Sequence, residues 1–260
     1  MPIRPRWRLL SVPARDGAEN MARDVALQDY SRNSGDSVLS VYTWIRPTLS
    51  FGRNQTAKGL YDTVRMARES LDVVRRPTGG RAILHNREIT YSVTGTDLFA
   101  GTLPKAYDRI NAILLMALRS LGAPVEIADP TRHAPRPDES PCFAEPVKGE
   151  LVALGRKLVG SAQFRENGAF LQHGSILVKN DQEHLAGLTL SQTASVGSAP
   201  VTLSELVERP VSAGQMADGL FAAVRALEDE GATTMDESEI RPAALALRAR
   251  FADPLWTWRR

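Results

Sequence analysis

The chain has 260 residues, of which 43% are hydrophobic and 24% are charged, and its formal net charge is +2. This composition is typical of an ordinary globular protein, and the length allows one large domain with an ample core. The near-neutral charge argues against a general nucleic-acid-binding protein. The single cysteine, Cys142, excludes internal disulfides, and the four histidines lack the spacing of a zinc site, so we expect no metal.

The sequence also bears on compartment and partners. It contains no stretch of about 18 apolar residues, and its start, MPIRPRWRLLSVP, lacks the apolar core of a signal peptide. We therefore expect a cytoplasmic protein that contacts neither membrane nor nucleic acid. Arginines outnumber lysines by 27 to 5. Because the arginine fork matches carboxylates and phosphates, this skew is compatible with acidic partners.

The first 70 residues alternate between strand and helix patterns. Residues 7–12 and 38–44 alternate between apolar and polar side chains as strands do, and residues 17–33 predict a helix that covers the sheet. A strand end and loop follow at residues 47–54. Residues 57–70 predict an amphipathic helix that leads into the central motif.

The central motif is RRPTGGRAILHNREITYS, residues 75–92. Its pattern predicts a strand, a glycine turn and two more strands. Gly79 and Gly80 allow backbone angles closed to other residues and let a ligand approach the main chain, while Arg75 and Arg81 supply positive charge. On spacing alone, a hairpin turn with surface arginines is the better explanation of these residues.

A long helix and a loop follow the motif. Residues 104–121 have apolar side chains at helical spacing, and Gly122 ends the pattern. A short strand is predicted at residues 125–128. Residues 129–141 contain four prolines and predict an irregular loop, which ends at Cys142.

The rest of the chain predicts three strands and then helices. The strands are expected at residues 150–154, 157–164 and 169–178. The dipeptide Asn167-Gly168 is a strong hairpin signal between the second and third strands. The helices are expected at residues 203–208, 213–230 and 238–251. The predicted fold is α+β, a mixed and largely antiparallel sheet flanked by helices, in one domain over residues 1–260 with a helical C-terminal segment from about 203 and no large accessory domain.

The central motif resembles the signature of the biotin/lipoate protein ligase and octanoyltransferase superfamily. A second block, GRKLVGSAQ at residues 155–163 followed by LQHGS at 171–175, is similar to the same superfamily. With Cys142 upstream, the pattern most resembles the octanoyl-[acyl carrier protein]:protein N-octanoyltransferases of the LipM type. The resemblance covers nearly the whole chain from about residue 7. It implies the biotin/lipoate protein ligase-like catalytic fold and a role in lipoate biosynthesis.

The resemblance assigns catalytic roles to two residues. A lone cysteine is more often buried and inert, yet a thiol suits the removal of an acyl chain from a phosphopantetheine thioester, because thioester exchange needs no ATP. Cys142 would then carry the octanoyl group. Lys157 would accept a proton from the attacking lysine or polarise the acyl carbonyl while charged. On sequence alone, Lys157 is better explained as a surface lysine at a strand edge.

Further residues are expected to bind the acyl group. Gly79, Gly80 and Arg81 would form the backbone wall of the pocket, and Arg81 stands where many lipoate ligases carry a third glycine, which argues against an adenylate site. Asn86 follows the motif histidine where the family usually has aspartate. The other candidates for substrate binding are Arg75, His85, Ser161, Gln163, His173 and Gly174. For both histidines a purely structural hydrogen bond is an equal alternative.

The resemblance also implies partners. The donor would be acyl carrier protein, and the acceptors would be lipoyl-domain proteins, namely the glycine cleavage H protein and the E2 subunits of 2-oxoacid dehydrogenases. We expect a monomer without a cofactor other than the donor's octanoyl-phosphopantetheine. Two enzymatic alternatives remain, a lipoate-protein ligase that uses ATP and Mg, and an amidotransferase that moves octanoyl groups between lipoyl-domain proteins. A non-enzymatic acyl-sensing scaffold is the third alternative.

Overall fold

The computed structural model describes residues 5–96, 101–128, 149–190 and 199–260. Its elements in chain order are β1 (Trp7–Ser11), α1 (Gly17–Ser34), β2 (Ser37–Tyr42), β3 (Thr48–Phe51), α2 (Thr63–Arg68), β4 (Asp72–Arg75), β5 (Ile83–His85), β6 (Glu88–Thr96), α3 (Leu103–Ser120), β7 (Glu126–Ile127), β8 (Leu151–Ala153), β9 (Arg156–Lys157), β10 (Val159–Glu166), β11 (Ala169–Leu177), α4 (Glu183–Ala186), α5 (Leu203–Leu206), α6 (Ala213–Leu227), β12 (Thr233–Thr234), a 3₁₀ helix (Glu237–Glu239), α7 (Arg241–Ala252) and α8 (Pro254–Thr257).

The main sheet has six strands in the order β10-β11-β6-β2-β1-β12. The four strands from β10 to β2 are antiparallel, whereas β1 pairs in parallel with both β2 and β12. Side chains of β2 alternate between the two faces, because successive residues of a strand point in opposite directions. Leu39 and Val41 join the core with α3 and α6, while Val38 and Tyr42 join the core with α1. The predicted α+β class is confirmed.

Helix α3 shows how local sequence sets an element. The side chain of Thr102 accepts a hydrogen bond from the backbone N–H of Lys105, and a proline stands in the first turn. Apolar residues at helical spacing place Ile110 and Leu114 in the core, fully buried. The helix ends at Ser120, and Gly122 follows its cap residue with a φ of 95°, the left-handed conformation in which helices commonly stop. The predicted helix is therefore confirmed.

The hairpin between β10 and β11 fixes the register of the site. Asn167 and Gly168 have φ values of 51° and 79°, which suit a two-residue turn of the kind that matches strand twist. The turn sets Ser161 opposite Gly174 and Ala162 opposite His173. The predicted hairpin is confirmed, and it brings the two parts of the second sequence block side by side.

The glycine turn, which contains Gly79 and Gly80, connects β4 to β5. These two strands belong to a separate sheet of three strands, in the order β4-β3-β5. Strand β3 pairs in parallel with β4 and antiparallel with β5, so it lies between the strands that the turn connects. The turn therefore does not close a hairpin, and the explanation of this motif as a hairpin turn is wrong.

Two predicted helical regions are corrected. The helix predicted over residues 57–70 is reduced to α2, because Gly59 has a φ of 76° and the side chain of Asp62 caps the helix at Arg65. The C-terminal segment, predicted to be helical, also contributes β12, which pairs with β1. Its short length gave no alternating pattern to detect.

The predicted strand at residues 157–164 is divided into two. Strand β9 pairs with β8 in a third small sheet, whereas β10 pairs with β11 in the main sheet. Leu158 lies between them and is fully buried. The loop predicted at residues 129–141 and the adjoining Cys142 lie outside the described residues. None of the helices in the described ranges is long and apolar enough to cross a membrane.

Candidate active site

A cavity lies between the glycine turn, the β10–β11 hairpin and α1. About 390 Å³ free of protein atoms lies within the cavity and its opening to solvent. Its lining residues are Met21, Tyr42, Trp44, Arg76, Gly80, Ile83, His85, Thr90, Gly160, Ser161, Ala162, His173, Gly174 and Ser175. The two sequence blocks that carry the family resemblance thus line one cavity.

Three glycines allow the walls to approach this closely. Gly80 lines the cavity with a φ of 89°, a value that side chains disfavour. A Cβ atom on Gly52 would lie 1.9 Å from the carbonyl oxygen of Gly80. A Cβ atom on Gly174 would lie 2.6 Å from the ring of Tyr91. Side chains at these positions would force the walls apart.

Arg76 braces the glycine turn from inside the protein. Its Nη2 donates to the carbonyl oxygens of Gly79 at 2.9 Å and Arg81 at 2.6 Å. Its Nη1 donates to the carbonyl and hydroxyl oxygens of Ser50, at 3.0 and 2.8 Å. The side chain is almost wholly buried and lines the cavity. Arg76 therefore fixes the shape of the turn against β3, a role that the sequence analysis missed.

The side chain of Arg75 does not line the cavity and instead contacts the C-terminal segment. Its Nε donates to the carbonyl oxygen of Thr257 at 2.8 Å, and its Nη1 donates to those of Gly52 and Gln55, both at 2.7 Å. Burial, followed by the nearby positive charge of Arg259 and Arg260, lowers the pKa of Arg75 to about 10. Arg75 thus ties the C-terminal segment to the loop after β3.

His85 and His173 have the same kind of surroundings, an imidazole held between a carboxylate and a hydroxyl group. The Nδ1–H of His85 donates to Glu88 Oε1 at 2.8 Å, and its Nε2 lies 2.7 Å from the hydroxyl of Ser50. Its ring stacks on Trp44 with centroids 4.0 Å apart. These contacts hold the imidazole plane flat against the cavity wall.

Glu88 is a buried carboxylate beneath this wall. It accepts hydrogen bonds from the indole N–H of Trp44 at 3.1 Å and the hydroxyl of Thr90 at 2.6 Å. Burial disfavours its charged form, but His85 and the hydroxyl donors outweigh burial and hold the pKa of Glu88 below its usual value. Glu88 is therefore a carboxylate that orients His85.

His173 is the second imidazole of the wall. Its Nδ1–H donates to Asp24 Oδ2 at 2.7 Å, and its Nε2 accepts from the hydroxyl of Thr78 at 2.6 Å, an assignment made from the partners. Burial lowers the pKa of His173 and outweighs the opposite effect of Asp24. The ring is therefore neutral, and it anchors the glycine turn to α1 through Thr78.

A third polar network joins β10, β11 and β6. The hydroxyls of Ser161 and Tyr91 lie 2.7 Å apart, and Gln172 donates to the Tyr91 oxygen at 2.8 Å. Gln163 donates to Gln172 at 2.8 Å and to the carbonyl oxygen of Leu103 at 3.1 Å. Burial raises the pKa of Tyr91 to about 12, so its hydroxyl stays protonated. Gln163 is part of this support and not of the cavity wall.

Lys157 lies in β9 and is 97% buried, not on the surface. Its Nζ lies 2.6 Å from Oε1 of Glu150, which is buried as well. The two side chains form a buried ion pair. Lys157 is separated from the lining residue Gly160 by two residues of the chain. The partner Glu150 had no sequence signal other than its charge.

The structure brings part of the predicted set together. Five of the predicted substrate-binding residues line the cavity: Gly80, His85, Ser161, His173 and Gly174. Within the described residues, five other predicted site residues lie outside its wall: Arg75, Gly79, Arg81, Lys157 and Gln163. Cys142 lies outside the described residues. The cavity is also lined by three residues that were not predicted, Arg76, Trp44 and Met21. Of these, only Arg76 could have been identified from the sequence, because it stands next to Arg75 in the central motif.

The arrangement suits the burial of an alkyl chain. The lining histidines direct their ring nitrogens to protein partners, and Arg76 is engaged by backbone oxygens. The lining hydroxyls of Thr90, Ser161 and Ser175 also have protein partners, so the exposed surface of the cavity is mostly apolar. Each methylene group transferred from water into such a site contributes about 0.8 kcal/mol. The rigid networks behind the wall keep the cavity in shape, because polar groups at this depth are stable only when they are hydrogen-bonded.

Comparison with known proteins places the chain in a family. Residues 16–225 match the "Lipoyl protein ligase A/B catalytic domain" family. An octanoyltransferase LipM of Kyrpidia tusciae is 35% identical over 98% of this chain and 99% of its own length. An octanoyltransferase LipM of Carboxydothermus hydrogenoformans is 43% identical over 69% of this chain and 67% of its own length.

Solved structures agree on the fold. A lipoate-protein ligase A crystallised with ATP superposes with a TM-score of 0.77, at 21% identity, over 98% of this chain and 99% of that one. At this identity the likeness concerns the fold alone. The family match and the full-length relatives together show that the chain belongs to the lipoyl protein ligase A/B catalytic domain family, and that it is similar to the LipM octanoyltransferases within it.

Proposed function

We propose that this chain is an octanoyltransferase of lipoate biosynthesis, which moves an octanoyl group from acyl carrier protein to a lysine of lipoyl-domain proteins through a thioester on Cys142. Its curated relatives that match over nearly their whole length are octanoyltransferases. The observation that carries the proposal is the cavity, in which the glycine turn and the β10–β11 hairpin face each other across a mostly apolar space.

The first half of the reaction loads the enzyme. The Cys142 thiolate attacks the carbonyl carbon of the octanoyl thioester, and a tetrahedral intermediate forms. This intermediate expels the pantetheine thiolate, which takes up a proton, and leaves the octanoyl group on Cys142. One thioester replaces another, so the step needs no ATP. The alkyl chain is bound in the cavity, and the thioester on Cys142 lies at the opening of the cavity.

The second half transfers the group. The neutral amine of the acceptor lysine attacks the carbonyl carbon of the acyl-cysteine to form a tetrahedral intermediate. The carbon–sulfur bond then breaks, the amide forms, and the proton of the amine passes to the departing Cys142 sulfur, which restores the thiol. Lys157 acts as a positive charge on the oxyanion of the tetrahedral intermediate, and its buried pairing with Glu150 supports this role over that of a base. Backbone N–H groups near Gly79 and Gly80 are the complementary donors.

A transfer assay tests the proposal. Octanoyl-carrier protein and a lipoyl domain are mixed with the enzyme without ATP or magnesium, and the octanoylated lipoyl domain is measured by mass spectrometry. Transfer is expected with the wild-type protein and should be lost in Cys142→Ser. A parallel reaction with free octanoate, ATP and magnesium tests the ligase activity. Product only in that second reaction, undiminished in Cys142→Ala, would show a ligase instead.

The same assay tests the amidotransferase. An octanoylated glycine cleavage H protein replaces the carrier protein as donor, with an E2 lipoyl domain as acceptor. The proposal predicts that kcat/KM for the carrier protein exceeds that for the octanoylated H protein. The reverse order would assign the chain to transfer between lipoyl-domain proteins.

A further inference from the structure

Four arginines gather at one side of the cavity, and we call Arg53, Arg250, Arg259 and Arg260 the arginine cluster. Nη2 of Arg259 donates to the carbonyl oxygen of Arg53 at 2.6 Å. The guanidinium groups of Arg250 and Arg259 both stack on the ring of Trp256, at 4.0 and 3.8 Å from its centre. Three separate parts of the chain thus converge on one exposed, positively charged surface.

The arginine cluster adjoins the glycine turn that forms the cavity wall. The backbone N–H of Arg53 donates to the carbonyl oxygen of Thr78 at 2.8 Å, and the preceding Gly52 packs directly on Gly80. The guanidinium of Arg53 also stacks on Phe164 at 4.2 Å, on the same strand as the cavity-lining Ala162. The charge of the cluster is therefore placed beside the acyl site.

The positive charge of the arginine cluster is only partly compensated by neighbouring acidic residues. Burial and then the charges of Arg53, Arg260 and Arg250 lower the pKa of Arg259. Burial and then Arg53 lower the pKa of Arg250. Glu166, 3.7 Å from Arg53, offsets part of this repulsion. The stacking on Trp256 nevertheless keeps the guanidinium groups together, and like charges held in this way are stabilised further by an added anion.

We propose that the arginine cluster docks the donor protein by binding the phosphodiester of its phosphopantetheine arm and the acidic surface around the arm's attachment point. This inference rests on the proposed function, since it takes the acyl donor to be a carrier protein. It adds the surface through which that donor is recognised and the residues that recognise it.

The chemistry of the cluster favours the donor over the acceptor. Guanidinium forks match phosphate oxygens in pairs, and ion pairs of this kind are the stronger hydrogen bonds. The donor must bring a phosphodiester to the cavity with its acyl group. The reactive group of the acceptor is a lysine, whose ammonium form is repelled by the cluster. An anionic donor surface would also associate faster by electrostatic steering, an effect that salt weakens.

The experiment measures acylation of Cys142 by two donors, octanoyl-carrier protein and octanoyl-pantetheine, which lacks both the phosphate and the protein. The variant is Arg250→Gln/Arg259→Gln, because glutamine removes the charge and keeps a planar group on Trp256. With the carrier protein, kcat/KM is expected to fall about tenfold or more at low salt, mainly through KM, and the salt dependence should weaken. With octanoyl-pantetheine, kcat/KM should stay within about twofold.

The control variant is Arg209→Gln/Arg241→Gln, which removes the same two units of positive charge at exposed positions outside the cluster. It should leave both donors unaffected, and rates are expressed per folded molecule. Equal use of the carrier protein by the Gln variant and the wild type would overturn the docking site. A matching loss with both donors would do the same and assign the arginines a structural role.

Two further outcomes separate donor from acceptor and docking from function. Normal loading by carrier protein, combined with slow transfer from preformed acyl-enzyme to a lipoyl domain, would assign the cluster to the acceptor and overturn donor docking. Failure of both donors to acylate wild-type Cys142 would overturn the proposed function, and the docking proposal with it.

Discussion

Lys157 is buried against Glu150, and this pairing sets what the residue contributes to stability and to chemistry. Removing one partner of a buried ion pair is costly, on the order of 3–5 kcal/mol, because the remaining charge loses its counter-charge in a place that water does not reach. The positive charge of Lys157 is thus part of the folded core as well as of the proposed oxyanion site. A surface lysine would have neither role.

We predict that Lys157→Met lowers the free energy of unfolding by about 3 kcal/mol and octanoyl transfer by about 100-fold or more. The double variant Glu150→Gln/Lys157→Met removes the buried charge and should recover most of the stability, but not the activity. Chemical denaturation and steady-state assays measure both quantities. The exposed Lys179→Met is the control for stability. Recovery of activity in the double variant would contradict the proposed role of Lys157.

His173 gives the fold a pH dependence of known sign. Its folded-state pKa lies below the unfolded value of about 6.5, so at acid pH the unfolded chain binds a proton that the folded chain resists. Stability should therefore fall as pH falls from about 6.5 towards the folded pKa, by at most about 1.4 kcal/mol per pH unit from this group. Denaturation between pH 7 and about 5 should show a smaller slope in His173→Gln. Identical slopes would show that His173 does not contribute.

At the residue scale, the sequence predicts well where a motif is contiguous. His85, Gly80 and Gly174 stand in recognisable blocks, and all three line the cavity. Asp24 holds the imidazole of His173, yet it is an isolated acidic residue that lies 149 residues away along the chain, so their pairing is created by folding alone. Glu88 stands three residues after His85 within the central motif, but the strand pattern there gave no sign that it holds the imidazole.

At the scale of elements, the glycine turn and its braces act as one unit. Arg76 holds the turn from inside, Thr78 ties it to His173, and Gly52 lets β3 pack directly beneath it. Backbone oxygens of the turn accept the bonds from Arg76 and lie against Gly52, so the shape of the turn depends on the absence of a side chain at Gly52. Gly52 and Gly79 differ in this respect.

We predict that alanine destabilises the protein at Gly52 but is tolerated at Gly79. A Cβ on Gly52 would lie 1.9 Å from the Gly80 oxygen, so Gly52→Ala should push the turn outward, cost about 1–3 kcal/mol and slow acylation of Cys142. A Cβ on Gly79 meets no described atom within 4 Å, so Gly79→Ala should change stability by less than about 1 kcal/mol. Denaturation and acylation rates per folded molecule test both. Equal effects would show that the close packing at Gly52 does not matter.

Helix and strand patterns predicted most elements, and the exceptions have physical causes. Periodic apolar residues located α3, and the dipeptide Asn167-Gly168 located the β10–β11 hairpin. The pairing of β3 between β4 and β5 was not predictable, because short strands carry no information on their order in a sheet. The length of the helix predicted over residues 57–70 was overestimated. The helical spacing of side chains continues through Gly59, but the backbone of Gly59 has a positive φ that a helix does not allow.

At the scale of the whole molecule, Arg75 connects the last residues of the chain to the loop beside the glycine turn. Its guanidinium donates to the carbonyl oxygens of Thr257, Gly52 and Gln55. The carbonyl oxygen of Arg75 in turn accepts a hydrogen bond from the indole N–H of Trp256 at 2.9 Å. The C-terminal segment is thereby held next to the acyl site, and this placement brings Arg259 to the arginine cluster. No sequence pattern predicted that long-range contact.

We predict that Arg75→Lys lowers the free energy of unfolding by about 3 kcal/mol, because an ammonium group cannot reach all three carbonyl oxygens. Hydrogen exchange should become faster at residues 254–260 before the main sheet is affected. The control is Arg241→Lys at an exposed position on α7, where a change below about 0.5 kcal/mol is expected. Unchanged exchange at the C-terminal segment would contradict the tie through Arg75.

The central claim is that an octanoyl group is carried on Cys142, and one measurement tests it directly. The purified protein is mixed with octanoyl-carrier protein without ATP, magnesium or acceptor, and its intact mass is recorded. The account predicts a gain of one octanoyl group, which peptide mapping assigns to Cys142 and which neutral hydroxylamine removes. A protein that transfers octanoyl groups to lipoyl domains without ever gaining mass at Cys142 would contradict the account.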